Sequence, residues 1–76
     1  MSKTFPRINM KATGKNIESL RKQKNLSVKE IQEVFGFESP QAIYKWQWGD
    51  SLPSIDNLVV LATVFEVSIV NILVID

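Results

Sequence analysis

Apolar residues recur three and four positions apart through most of the chain, and small polar residues stand where each run begins. That spacing puts the apolar side chains on one side of an α-helix, so five short helices are predicted and no strand is required. The first extends from about Thr13 to Lys24, with Ile17 and Leu20 facing inward. Cations crowd its last turn, where the helix dipole favours them. The second carries the most complete local signal. Ser27 and Glu30 have the spacing of a capping box, and Leu26 and Ile31 stand at the two positions of a hydrophobic staple. Ile31, Val34 and Phe35 supply its inner face, and Gly36 suits the left-handed residue that ends a helix.

The third helix is announced by Ser39 as cap and Pro40 in the first turn, where a missing N–H costs nothing. Ile43 and Trp46 point inward, which leaves Gln41, Ala42, Tyr44, Lys45 and Trp48 on the other side before Gly49 closes the helix. Asp50 to Pro53 form a turn, and Ser54 caps a fourth helix whose stripe is Leu58, Leu61, Ala62 and Phe65. Val67, Ser68 and Ile72 repeat the staple and cap before a last helix, Ile69 to about Ile75. The β-branched residues between Ser68 and Ile75 suit extended chain as well.

A chain of 76 residues, 45% hydrophobic and 22% charged, has room for one domain with one modest core. With no cysteine, stability has to come from packed helix faces, which suits a reducing compartment. The N-terminus lacks the apolar stretch of a signal peptide, and no run approaches the about 18 apolar residues of a membrane span, so a cytoplasmic protein without a membrane partner is expected. Histidine is also absent. The chain thus lacks the usual general base, the commonest zinc ligands and a thiolate nucleophile, and it has no Gly-rich phosphate loop. An enzyme is therefore the function class that composition argues against most strongly, and no metal, cofactor or small-molecule substrate is expected.

Net charge is only +1, yet it is divided unevenly. Residues 1–29 hold eight cations against the single acid Glu18, whereas residues 30–76 hold Lys45 against seven acids. A basic front half suits phosphates, and equally suits a solvated helix face. Two helices of about eight residues joined by a short turn have the geometry that lets one brace on the DNA backbone while the next enters the major groove.

Four segments taken in order, Ile17 to Ser27, Ser39 to Gly49, Leu52 to Leu58 and Val67 to Ile69, resemble the Cro/C1-type (XRE-like) helix-turn-helix family of phage and bacterial regulators. The resemblance covers roughly Lys15 to Val74. It implies an all-α, five-helix, lambda-repressor-like domain that binds duplex DNA sequence-specifically, often as a homodimer on a near-palindromic operator. Residues 13–76 form that domain in this reading, and residues 1–12, with Lys3, Arg7 and Lys11, form a flexible basic arm.

Base reading then falls to Gln41, Ala42, Tyr44 and Lys45. An amide such as Gln41 can bond adenine twice, Lys45 can meet guanine or a phosphate, and Tyr44 can touch the backbone or a thymine methyl. Phosphate contacts fall to Ser27, Lys29, Ser39, Arg21 and Trp48, the last of which also fits under the following loop. Where the family commonly places a phosphate-contacting Gln at the start of the second helix, this chain has Val28. Where it pairs an Arg late in the first helix with a Glu late in the third, this chain has Arg21 and Gln47; the amide can accept a hydrogen bond from Arg21 but cannot neutralise it, so the alternative is an Arg21 free to reach a phosphate. The competing expectation is a protein-interaction module of the same fold, because the segment Ile69 to Ile75 is very apolar for the end of a small monomer.

Overall fold

The computed structural model describes residues 5–76. Five helices follow one another: α1 (Met10–Gln23), α2 (Val28–Phe35), α3 (Gln41–Trp48), α4 (Ile55–Phe65) and α5 (Ile69–Ile72). They enclose one core of Ile17, Ile31, Ile43, Trp46, Leu58, Leu61, Ala62, Phe65 and Ile72, to which every helix contributes. The all-α, five-helix architecture expected from periodicity is the one observed. None of these helices is long and apolar enough to cross a membrane.

Local signals account for most of the helix ends. Ser27 and Glu30 form the expected capping box, with Ser27 Oγ accepting from the Glu30 N–H and the Glu30 carboxylate accepting from the Ser27 N–H. Ser54 caps α4 by accepting from the Asn57 N–H. The C-terminal ends of α1 to α4 share one device. A residue with positive φ follows the helix, at Asn25, Gly36, Gly49 and Glu66. The N–H of the residue after it then reaches back five positions to a helix carbonyl, as in Leu26 to Arg21 and Asp50 to Lys45.

Three helices depart from the sequence reading at their ends. Helix α1 starts at Met10 and not near Thr13, because the Asn9 side chain caps it by accepting from the Ala12 N–H. Thr13 lies fully buried within the helix, and its hydroxyl accepts the Val74 N–H at 2.9 Å. Helix α3 is preceded by Pro40 and has no side-chain cap, so Ser39 does not act as one. Helix α5 stops at Ile72, and Ser68 makes no capping bond.

Beyond Ile72 the chain is extended. Asn9 N–H donates to the Val74 carbonyl and Asp76 N–H to the Arg7 carbonyl, a two-bond antiparallel bridge centred on Ile8 and Ile75. The Asn16 amide also donates to the Asn71 and Ile72 carbonyls, which satisfies the end of α5 from α1. Arg7 and Lys11, expected in a basic arm, therefore sit beside the tail and in the first turn of α1; Lys3 lies outside the described residues.

One core expectation is corrected. Val34 is 54% exposed, because the buried stripe of α2 runs through Val28, Ile31 and Phe35, and Val34 lies to one side of it.

Candidate nucleic-acid interface

Helix α3 is held against α1 more closely than ordinary side chains permit. Gly14 makes this possible, since a Cβ there would lie 2.6 Å from the Gln47 carbonyl oxygen and closer still to that of Trp46. The backbone of one helix thus rests on the other. Ile43 and Trp46 enter the core, and Lys11 Nζ donates to the Trp48 carbonyl at 3.1 Å, which ties down the last turn.

The connection from α2 to α3 is built from aromatic rings and one amide. Phe35 and Phe37 stack with centroids 4.9 Å apart, and both meet Trp46 edge-on. Gln32 closes the turn twice over: its side chain donates to the Phe37 carbonyl, and its own carbonyl accepts the Phe37 N–H. The angle between the two helices is therefore set by packing, with Gly36 supplying the left-handed turn at φ 71°.

With α3 so held, Gln41, Tyr44, Lys45 and Trp48 are exposed on its outer side. Ala42 is half-buried and packs against the core, so its methyl group is partly covered. Tyr44 and Trp48 stack on each other, with centroids 5.7 Å apart and ring planes 21° from parallel. Trp48 thus lies over α3 on the Tyr44 ring, and not under the loop that follows. Ser27, Lys29 and Ser39 are exposed as well. The Ser27 oxygen accepts from Glu30, which leaves its hydroxyl hydrogen available to donate.

Arg21 is half-buried and directed inward. Its Nε donates to Gln47 Oε1 at 2.9 Å and its Nη1 to the Leu26 carbonyl at 2.7 Å. The expectation of a freely reaching Arg21 rested on Gln47 being unable to neutralise it. Neutralisation is not required, since two of its five N–H groups meet carbonyl-type oxygens and the side chain is only half-buried.

Several features escaped sequence reasoning. The burial of Gln47 was signalled only by its place beside Trp46 and opposite Arg21. The Tyr44–Trp48 stack has a plain signal in the i, i+4 spacing of two aromatic residues on a predicted outer face. The Lys11 tie has none, since nothing local relates it to the end of α3.

Comparison with known proteins agrees with this geometry. A family model described as Helix-turn-helix matches residues 17–72. Two solved structures have the same fold, a crystal structure of the DNA-binding domain of BldD and the S. venezulae BldD DNA-binding domain. Each superposes with a TM-score of 0.71 at 21% identity over 86% of this chain, and over 93% and 96% of their own lengths respectively. None of the curated proteins compared matches the chain.

Proposed function

Because the chain belongs to the Cro/C1-type (XRE-like) helix-turn-helix family, a family of DNA-binding regulators, we propose that it is a sequence-specific transcriptional repressor acting in the cytoplasm, with α3 entering the major groove. The observation that carries this reading is the two-sidedness of α3. Ile43 and Trp46 anchor it, while Gln41, Tyr44, Lys45 and Trp48 stand outward on a helix whose position is over-determined by Gly14, Lys11 and the aromatic turn. Gln41 supplies a polar contact to a base edge, Lys45 meets a phosphate beside it, and Ser27, Lys29 and Ser39 supply further donors for phosphates. Ala42 is a minor reader with its methyl half covered. Arg21 acts chiefly by fixing Gln47, and the donors left for a phosphate are those of Nη2 and the second N–H of Nη1. The chain works without metal, cofactor or catalytic step, as a homodimer on a near-palindromic operator.

A second reading is favoured by a separate observation: Ile55 and Val70 are 76% and 74% exposed, which suits a protein-interaction module docking through apolar surface. Salt separates the two. Anisotropy of a labelled mixed-sequence duplex should show affinity falling with salt at a log–log slope of about −0.9 for each phosphate contacted. Absence of binding at low ionic strength, or a flat slope, overturns the regulator reading and leaves the interaction module.

A further inference from the structure

The outer face of α3 carries two large aromatic rings that stand outside the core. Tyr44 is 38% exposed and Trp48 57%, against 4% for Trp46 on the inner side. They lie one turn apart and share their face with Gln41, which precedes them by three and seven positions. Each ring fixes the other. A stack with centroids 5.7 Å apart removes rotamer freedom before any ligand arrives, so little ordering is left for binding to impose. The Lys11 bond to the Trp48 carbonyl holds the backbone beneath the stack as well. The result is a broad, rigid, largely apolar plate between two polar side chains.

The major-groove edges of the bases offer such a plate one apolar group. Guanine, adenine and cytosine present only acceptors and donors there, whereas thymine also presents its C5-methyl. We propose that the Tyr44–Trp48 stack is a thymine-methyl sensor, which selects operators carrying thymine beside the base pair met by Gln41. The inference rests on the DNA-binding reading above and adds to it a base identity and two specificity-determining residues. The rings have one other use on DNA, which is to lie against the sugar-phosphate backbone, and that contact is indifferent to the methyl group.

The test uses the full chain and a duplex selected from a random pool, in which each thymine in turn is replaced by deoxyuridine. This exchange removes the methyl and leaves every hydrogen-bonding group in place. At one or two positions per half-site, loss of the methyl should weaken binding by about fourfold, the value for one buried methyl-sized group. The same exchange should change affinity by less than about 1.5-fold for Tyr44→Ala and Trp48→Ala, whose methyl contact is gone. Both residues are exposed, and retention of helical circular dichroism and of Trp46 emission verifies that each variant is folded. Tyr44→Phe should keep the full methyl effect.

Specific binding with no sensitive thymine, or a methyl effect that survives both alanine variants, overturns the sensor and leaves the regulator intact. A pool that yields no bound duplex overturns both.

Discussion

Arg21 and Gln47 are joined by a hydrogen bond of 2.9 Å from Nε to Oε1 that ties the last turns of α1 and α3 together. The guanidinium also holds the Leu26 carbonyl just before α2, so one side chain connects the three helices that set the interface. Gln47 is buried, and removing its amide leaves a charged donor without its partner. Gln47→Ala should therefore lower stability by about 1.5–3 kcal/mol, measured by urea unfolding. Gln47→Glu places a carboxylate opposite the cation and should raise stability at neutral pH. The cation would depress the folded pKa of the new carboxylate. Its gain should thus be present above the unfolded pKa of about 4.3 and disappear as pH falls through the folded value. An unchanged unfolding midpoint for Gln47→Ala shows that the bond contributes nothing.

Gly14 and Gly36 are both helix-associated glycines, yet they resist substitution for different reasons. A methyl group on Gly14 collides with two backbone carbonyls of α3, so Gly14→Ala forces α1 and α3 apart and should cost about 3 kcal/mol or more. Around Gly36 nothing lies within 4 Å, and only its positive φ of 71° opposes a side chain. Gly36→Ala should then cost about 1 kcal/mol. Thermal unfolding of the two variants checks the ordering, and equal losses would refute the close approach of the helices.

The residues that betray themselves in sequence are those whose partners lie within one helical turn. Ser27 with Glu30, Ser54, Gly36 and Gly49 each satisfy a backbone need that arises at their own position, and all four behave as their residue types suggest. Thr13, Gln47 and Val74 are decided by distant chain. Thr13 resembles a helix opener locally, but its hydroxyl is taken by a backbone group 61 residues away. Val34 fits the apolar period of α2 and still faces water, because an eight-residue helix can rotate its stripe by one side chain without violating the pattern. The outer face of α3 was legible since its inner residues, Ile43 and Trp46, are large and three apart. The coupling of Arg21 to Gln47 was visible only as a pair of positions, with its hydrogen-bond geometry hidden.

Lys24 and Glu66 link the C-terminal ends of α1 and α4 through an exposed ion pair of 2.9 Å. The hydrogen bond from Lys24, followed by its positive charge, holds the Glu66 carboxyl below its ordinary 4.5. A depressed folded pKa means that the contribution is present above the unfolded value and is lost as pH falls through the folded one. Glu66→Gln should therefore lower the melting temperature slightly at pH 7, with the two proteins converging as pH falls through the depressed folded value. Addition of 1 M salt at neutral pH should narrow the same gap, because an exposed pair is screened. A gap that persists in acid shows that the substitution acts through something other than charge.

Gln41 and Lys45 stand one turn apart on α3 and present different chemistry to a groove. An amide offers a donor and an acceptor in one plane, which matches the N6 and N7 groups of adenine and of no other base. An ammonium on a flexible stem is a point charge that positions on a phosphate more often than it specifies a guanine. Loss of Gln41 should thus alter which duplexes are selected from a random pool, with discrimination at one position falling by about 1–3 kcal/mol. Loss of Lys45 should weaken binding to all of them and reduce the log–log salt slope by about 1, the signature of one phosphate contact removed. Running both alanine variants through the same selection gives each an internal control, since a misplaced α3 would disturb consensus and salt slope together. An unaltered consensus for Gln41→Ala removes Gln41 from base reading. A consensus altered by Lys45→Ala instead would transfer that role one turn further along the helix, toward the Tyr44–Trp48 stack.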